Sequence, residues 1–268
     1  MKPIYTLLTI IAIAFSACEK QMILDIDTAE PRDVISAIIS EEVPCVVVLT
    51  KTQGFYDNNP YQTISGATVT LSDSKGKTET LNESFEPGVY TSKMTGEVGE
   101  TYYLKIEIED NVYEAEAKVP AKVPIEELYI YQIQVGDGSW FSPCVAFNDP
   151  AEEENYYYFL LTINDRMMRS FYLEKDENRN GKPIDKILYF NKEDNFDDDL
   201  ETGDHIYVEM QTIDKGAYTY FYSLSSAAGR GATNPLTNFT GGALGCFKAY
   251  NSTYADAYVS WDIVRPAK

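Results

Sequence analysis

The amino-acid sequence predicts a mostly β chain arranged as two successive β domains, on three observations. Short runs that alternate apolar and polar residues, rich in Val, Ile, Thr and Tyr, recur between turn signals. Helical periodicity is nearly absent beyond residue 17. One proline-broken stretch, Val119-Pro120-Ala121-Lys122-Val123-Pro124, divides the runs into a shorter and a longer set, because prolines cannot sit in a central strand. Apolar residues are 44% and aromatics 13% of 268 residues, enough for packed cores, and the length suits two modest domains. The expected division is therefore 1–17, 18–33, 34–121 and 122–268: a leader, a tether, an N-terminal β-sandwich, and a larger antiparallel β-sandwich or barrel-like domain.

The leader comes first. One cation, Lys2, precedes the apolar stretch Leu7–Phe15 and two small residues, which is the layout of a secretory signal and too short for a membrane span. With Cys18 following Phe15-Ser16-Ala17, the segment resembles the lipobox of bacterial lipoproteins, in which that cysteine is acylated and buried methylenes hold the chain on a bilayer. An ordinary cleaved signal with an incidental cysteine is the alternative. Glu30-Pro31-Arg32-Asp33 is polar and proline-broken, so an extended tether is expected up to about Val34.

Strands are then expected along the chain. Val43–Leu49 is apolar, and Ala67–Ser72 and Lys77–Leu81 flank Asp73-Ser74-Lys75-Gly76 as a hairpin whose glycine supplies a positive φ. Val89–Thr91, Tyr102–Ile108 and Val112–Val119 complete a small sandwich. Beyond the prolines, strands are expected at Leu128–Val135, Cys144–Phe147, Tyr156–Ile163, Ser170–Leu173, His205–Ile213 and Tyr254–Val264. Gly216–Ser226 is the single candidate helix, although Ala217–Leu224 also fits a strand.

Charge narrows the partners. The formal net charge of −20, one unit more negative once Lys2 is removed, repels phosphate backbones and anionic lipid, so nucleic acid is excluded and the anchor must do the membrane binding. Cys45, Cys144 and Cys246 lie beside apolar residues and read as buried thiols, with a Cys144–Cys246 bridge as the alternative. His205 is the only histidine, which rules against a hydrolase triad or a multi-histidine zinc site and leaves it a structural role. Catalysis would have to rest on a carboxylate pair, and nothing selects one among 42 acidic residues.

Binding has better candidates. Tyr129, Tyr131, Trp140 and Phe141 flank the turn Gly136-Asp137-Gly138-Ser139, and Tyr157 lies in the Tyr156-Tyr157-Tyr158 run; tyrosine and tryptophan suit wet surfaces that grip sugars or peptides, the alternative being half-buried strand residues. Asp176, Asn178 and Asn180 before Gly181 match the first half of an oxygen-ligand calcium loop, whereas Ile187 stands where the closing Glu is expected, so a polar hairpin loop competes with a calcium site. No other cofactor is expected. The acidic run Glu193–Asp199 reads as a solvated loop first and a cation or docking patch second. The segment Asn234–Tyr250, with Gly241, Gly242 and Gly245 among apolar residues, is expected to be a structured loop and strand that serves packing.

In order along the chain, Ser65-Gly66-Ala67, Val119-Pro120, Phe147-Asn148-Asp149-Pro150, Asn155-Tyr156-Tyr157, Gly203-Asp204, Asn234-Pro235-Leu236 and Gly241–Tyr250 resemble a Bacteroidetes lipoprotein family described as a domain of unknown function. The resemblance implies an accessory outer-membrane lipoprotein, facing the cell surface beside a TonB-dependent transporter of the starch-utilisation type and its substrate-binding lipoprotein. It implies a non-catalytic role in binding or retaining nutrient, peptide or glycan. A surface hydrolase using a carboxylate pair and a purely structural envelope lipoprotein are the competing classes. The N-terminal domain, expected as a transthyretin-like or immunoglobulin-like β-sandwich, separately resembles transthyretin-like or carboxypeptidase-regulatory-like spacer modules, and Asp27-Thr28-Ala29 resembles a Bacteroidetes O-glycosylation tripeptide.

Overall fold

The computed structural model describes residues 30–54, 57, 59–136, 138–177, 180–230 and 234–266; Cys18, the leader and most of the tether lie outside them. The chain divides into two compact units, and the larger, residues 31–53 with 58–268, holds the architecture below. Its strands are β1 (Asp33–Ile39), β2 (Val46–Lys51), β3 (Thr68–Asp73), β4 (Thr78–Thr80), β5 (Asn82–Glu83), β6 (Val89–Thr91), β7 (Thr101–Ile108), β8 (Asn111–Lys118), β9 (Ile125–Val135), β10 (Gly138–Asn148), β11 (Tyr156–Ile163), β12 (Arg166–Lys175), β13 (Pro183–Ile187), β14 (His205–Ile213), β15 (Leu244–Tyr258) and β16 (Val264–Pro266), with one α-helix, α1 (Lys215–Arg230).

The strands form an eight-stranded sheet, β12-β11-β14-β15-β1-β2-β6-β5, and two four-stranded sheets, β13-β10-β9-β16 and β4-β3-β7-β8. Alternation explains where the cores lie. In β7, Tyr102, Leu104, Ile106 and Ile108 point inward while Tyr103 and Lys105 face solvent, and β1 presents Ile35, Ala37 and Ile39 in the same way. Each fully buried apolar side chain contributes about 1.5–3 kcal/mol. The first core gathers β1, β2, β3, β7 and β8 together with Phe239, Ala243, Phe247 and Ala249; the second gathers β9 and β10 against β11 and β14 around Phe147, Tyr157, Phe159 and Leu161. A third cluster places Tyr156, Tyr158, Ile213 and Cys246 against α1 through Ala217, Tyr218 and Phe221. The segment that fitted helix or strand is thus a helix, its apolar side covering a sheet face.

The extent of β15 and the barrel alternative are corrected, and the tether and the proline stretch gain detail. β1 begins at Asp33, not after Val34: Asp33 is buried, accepts from Tyr113 Oη at 2.8 Å and pairs with Lys51 at 3.2 Å. β15 runs unbroken from Leu244 to Tyr258, joining the strand expected within Asn234–Tyr250 to the one expected from Tyr254, and stops short of Val264, which belongs to β16, paired in parallel with β9. Among the described residues no sheet closes into a barrel. Contacts also cross the proline stretch in number. β15 pairs in parallel with β1 through Leu244–Ala249 and antiparallel with β14 through Tyr250–Tyr258, so one strand belongs to both halves. Its side chains bolt the stretch itself: Asn251 Nδ2 donates to Pro120 O at 2.7 Å and Thr253 Oγ1 to Val123 O at 2.9 Å.

Candidate functional site

The β9–β10 hairpin sets Trp140 opposite Ile133 and Phe141 opposite Gln132. β16 then brings Trp261, in the 3₁₀ turn Trp261–Ile263, edge-on against Phe141 with ring centroids 5.9 Å apart at 82°. Between β13 and β14 the chain crosses this end as a long connection. It is pinned at its start by Leu188 N donating to Pro143 O at 2.8 Å and Phe190 N donating to Ser142 Oγ at 3.1 Å. Tyr172 Oη donates to Tyr189 O at 2.9 Å, and burial with the nearby Asp194 charge pushes that hydroxyl up to about 12.

The acidic run folds into a 3₁₀ turn, Lys192–Asn195, capped by Asn191, whose Oδ1 accepts from Glu193 N, and ended by Phe196 at φ 57°. Its middle, Asp194 and Asn195, is held by β12, while Glu193 and residues 196–199 are exposed. Arg166 Nη2 donates to Asp194 O at 2.8 Å and to Asn195 Oδ1 at 2.6 Å, its guanidinium lies 3.7 Å over the Phe196 ring, and Ser170 Oγ donates to Asp194 Oδ2 at 2.6 Å.

These elements enclose three adjoining clefts. The largest, about 750 Å³, lies between Trp140, Phe141, Tyr189, Phe190 and Leu200. A second of about 390 Å³ shares Phe141 and Leu200 with it and reaches Trp261 and Val264. A third of about 450 Å³ continues past Glu201 to Arg166, Phe196 and Asp204 and is polar. Large apolar side chains stand open around them: Trp140 is 65% exposed, Tyr189 64% and Trp261 71%. The result is a groove with aromatic walls at one end and carboxylates at the other, suited to stacking and apolar contact with an extended ligand.

Residues 19–255 match the family described as Domain of unknown function (DUF4249). The chain belongs to this family. Among curated proteins none matches it. Among solved structures, the chicken interferon gamma receptor alpha chain aligns at 10% identity over 86% of this chain and 99% of its own, with a TM-score of 0.27. Among the described residues of the DUF4249 chain, no helix is long and apolar enough to cross a membrane.

Of the aromatic residues singled out in the DUF4249 sequence, Trp140 and Phe141 line the groove. Tyr131 is half-buried on β9 opposite Ser142. Tyr129 and Tyr157 line none of these three clefts. Tyr129 is buried beside Cys144, with the Arg265 guanidinium 4.3 Å over its ring, and Tyr157 is fully buried with its hydroxyl donating to Asp149 Oδ1. Burial first, and then the Asp149 charge, drives the Tyr157 hydroxyl far above the usual tyrosine range. For these two rings the strand reading replaces the binding reading, since β11 is covered on both faces and leaves no wet side for Tyr157.

Tyr189, Phe190, Phe196 and Trp261 were not singled out as binding residues. Their signal is aromatic side chains in polar connections; Phe190 packs against the second core, while Tyr189, Phe196 and Trp261 stand exposed. His205 Nε2 lies 3.0 Å from Asp256 Oδ2 with its ring against Tyr258, a surface pair consistent with a structural role. Cys45, Cys144 and Cys246 are buried free thiols, and burial pushes Cys45 up to about 12 and Cys144 up to about 11, away from reactivity. Of the calcium candidates, Asp176 is buried, Asn180 is exposed, and Asn178 lies outside the described residues.

Proposed function

We propose that this DUF4249 protein is a non-catalytic lipoprotein of the outer membrane, anchored through Cys18 and facing the cell surface. In this reading it holds a nutrient, peptide or glycan, in the aromatic groove and docks on a TonB-dependent transporter and its substrate-binding lipoprotein. One observation carries the binding role: three aromatic side chains, Trp140, Tyr189 and Trp261, are each more than 60% exposed around adjoining clefts. Exposed tryptophans that fill no core are the side chains a binding surface uses as anchors. The anchor and the transporter rest on the lipobox-like leader and on the family resemblance.

The test uses the full-length lipoprotein in detergent against panels of oligosaccharides and peptides. Each aromatic contact is worth about 0.5–1.5 kcal/mol, so replacing Trp140 and Trp261 together by Ala should weaken binding about tenfold or more. Tyr103→Ala, at an exposed ring on β7, should leave it unchanged. The two panels separate a glycan from a peptide ligand. Equal binding by the double variant and the wild type would remove the groove from the proposal, and a Cys18→Ala protein that still fractionates with the outer membrane would remove the anchor.

A further inference from the structure

A second place in the molecule carries an unmet chemical demand. Asp176 leaves the end of β12 and Asp149 leaves the end of β10, and both are buried, at 3% and 5% exposure, between the connection 149–155 and the connection 176–182. The two connections are locked together. Asp149 N donates to Lys182 O at 3.2 Å, Asp176 N donates to Asn155 O at 3.3 Å, and Gly181, at φ 72°, approaches so closely that a Cβ would meet Ala151 Cβ at 2.7 Å.

Asp149 is well served, accepting from Tyr157 Oη on Oδ1 and from Gly181 N at 3.0 Å on Oδ2. Asp176 is not. Its Oδ2 is the one buried side-chain polar atom without a hydrogen-bond partner among the described residues, and none of their lysines or arginines pairs with either carboxylate. Lys175 is turned to Glu177 and Lys215 to Glu154. Burial, and then the charges of Asp149 and Glu154, hold the Asp176 carboxyl above its ordinary range. A buried carboxylate facing a second one without a counter-charge is costly, and native proteins relieve that cost with a proton or a cation.

We propose that Asp149 and Asp176 hold a calcium-class divalent cation that ties the β10–β11 connection to the β12–β13 connection, with main-chain carbonyl oxygens and water completing its shell. The donors select the ion. Both side chains are hard oxygen ligands, which suit an ion that accepts carbonyl and water oxygens at six to eight positions. In the sequence, Asp176 opens a run with oxygen-bearing side chains at alternate positions, and Gly181, at φ 72°, makes the sharp turn that follows. Glu154 adds a negative charge that acts on Asp176.

The test takes the full-length lipoprotein in detergent, stripped with a chelator and titrated with CaCl₂, and separately with TbCl₃ under tyrosine excitation, Tyr156 and Tyr157 lying beside the site. Expected are a melting temperature that rises with calcium to saturation at a Kd of about 10⁻⁴–10⁻³ M, as in extracellular modules, and terbium luminescence that calcium displaces. Asp176→Asn should weaken binding at least tenfold. It should keep or raise the calcium-free melting temperature, because it swaps the unpaired carboxylate for an uncharged isostere, so loss of binding is not confused with loss of fold. Asp149→Asn should also weaken binding, and Glu193→Gln, in the distant 3₁₀ turn, should not. No response to calcium up to about 10 mM, ten times the weak end of that range, would overturn the proposal. So would an Asp176→Asn protein that titrates like the wild type. A wild type that ignores calcium but stabilises as pH falls would assign the orphan oxygen to a proton, and would equally overturn it.

Discussion

Gly245 sits where β15 meets β1, opposite Ile35, with φ at 100°. A Cβ there would lie 1.9 Å from Ile35 O, inside any allowed contact, and the left-handed backbone adds strain of its own. Gly242, three residues earlier, shares the positive φ of 88° but has open space around it, and its carbonyl accepts from Arg32 Nη2 at 2.6 Å. The two glycines therefore predict different outcomes. Gly245→Val should cost about 3 kcal/mol or more, from strained φ together with overpacking, and should show as a large fall in melting temperature or as insoluble protein. Gly242→Ala should cost about 1 kcal/mol. Equal melting temperatures for the two variants would show that β15 does not approach β1 in this way. The sequence pointed to packing rather than chemistry in this segment; which glycine carries the contact depends on a partner strand that no local pattern reveals.

At the scale of elements, α1 shows what a cap can do to pH dependence. Asp214 Oδ1 accepts from Ala217 N at 3.0 Å at the helix start, and Oδ2 accepts from Ala249 N at 2.9 Å on β15. Burial pushes its carboxyl up to about 6, outweighing the main-chain donors that pull it down. Because the folded value lies above the unfolded one, the stability this group adds is fully present below about pH 4 and is lost as pH rises through about 6. Asp214→Asn keeps the cap and removes the titration. Relative to that variant, the wild type should gain about 1–3 kcal/mol between pH 6 and pH 4, read from denaturation curves; a constant difference across that window would refute the shifted carboxyl.

Which elements could be read in advance follows from the same physics. β7, β8, β11 and β14 alternate or run apolar within themselves, so they were legible. β1 escaped because its polar, proline-marked approach resembles a tether, and the unbroken length of β15 escaped because its two ends read as separate strands. In the groove, Trp140 and Phe141 were legible beside their turn. Trp261 was not, since its meeting with Phe141 is made by the β16–β9 pairing, a long-range event.

For the whole molecule, β15 joins what the proline stretch divides. The first core borrows Phe239, Ala243, Phe247 and Ala249 from the far end of the chain, and β1 without β15 would bare a central strand as an edge. Residues 31–121 expressed alone should therefore lack a cooperative melting transition, and adding a peptide of residues 236–258 should restore one. A sharp, independent transition in the fragment alone would contradict this reading.

That shared strand also imposes an order in time. Arg32 and Gly242 are 210 positions apart yet hydrogen-bonded, so the earliest strand to be synthesised waits for nearly the last before its ladder can close. Closing so long a loop is slow, and until it happens the eight-stranded sheet stays open along β1, although β4-β3-β7-β8 can pair on its own. A polypeptide with that schedule keeps its largest sheet unfinished for as long as its C-terminal residues are still to come.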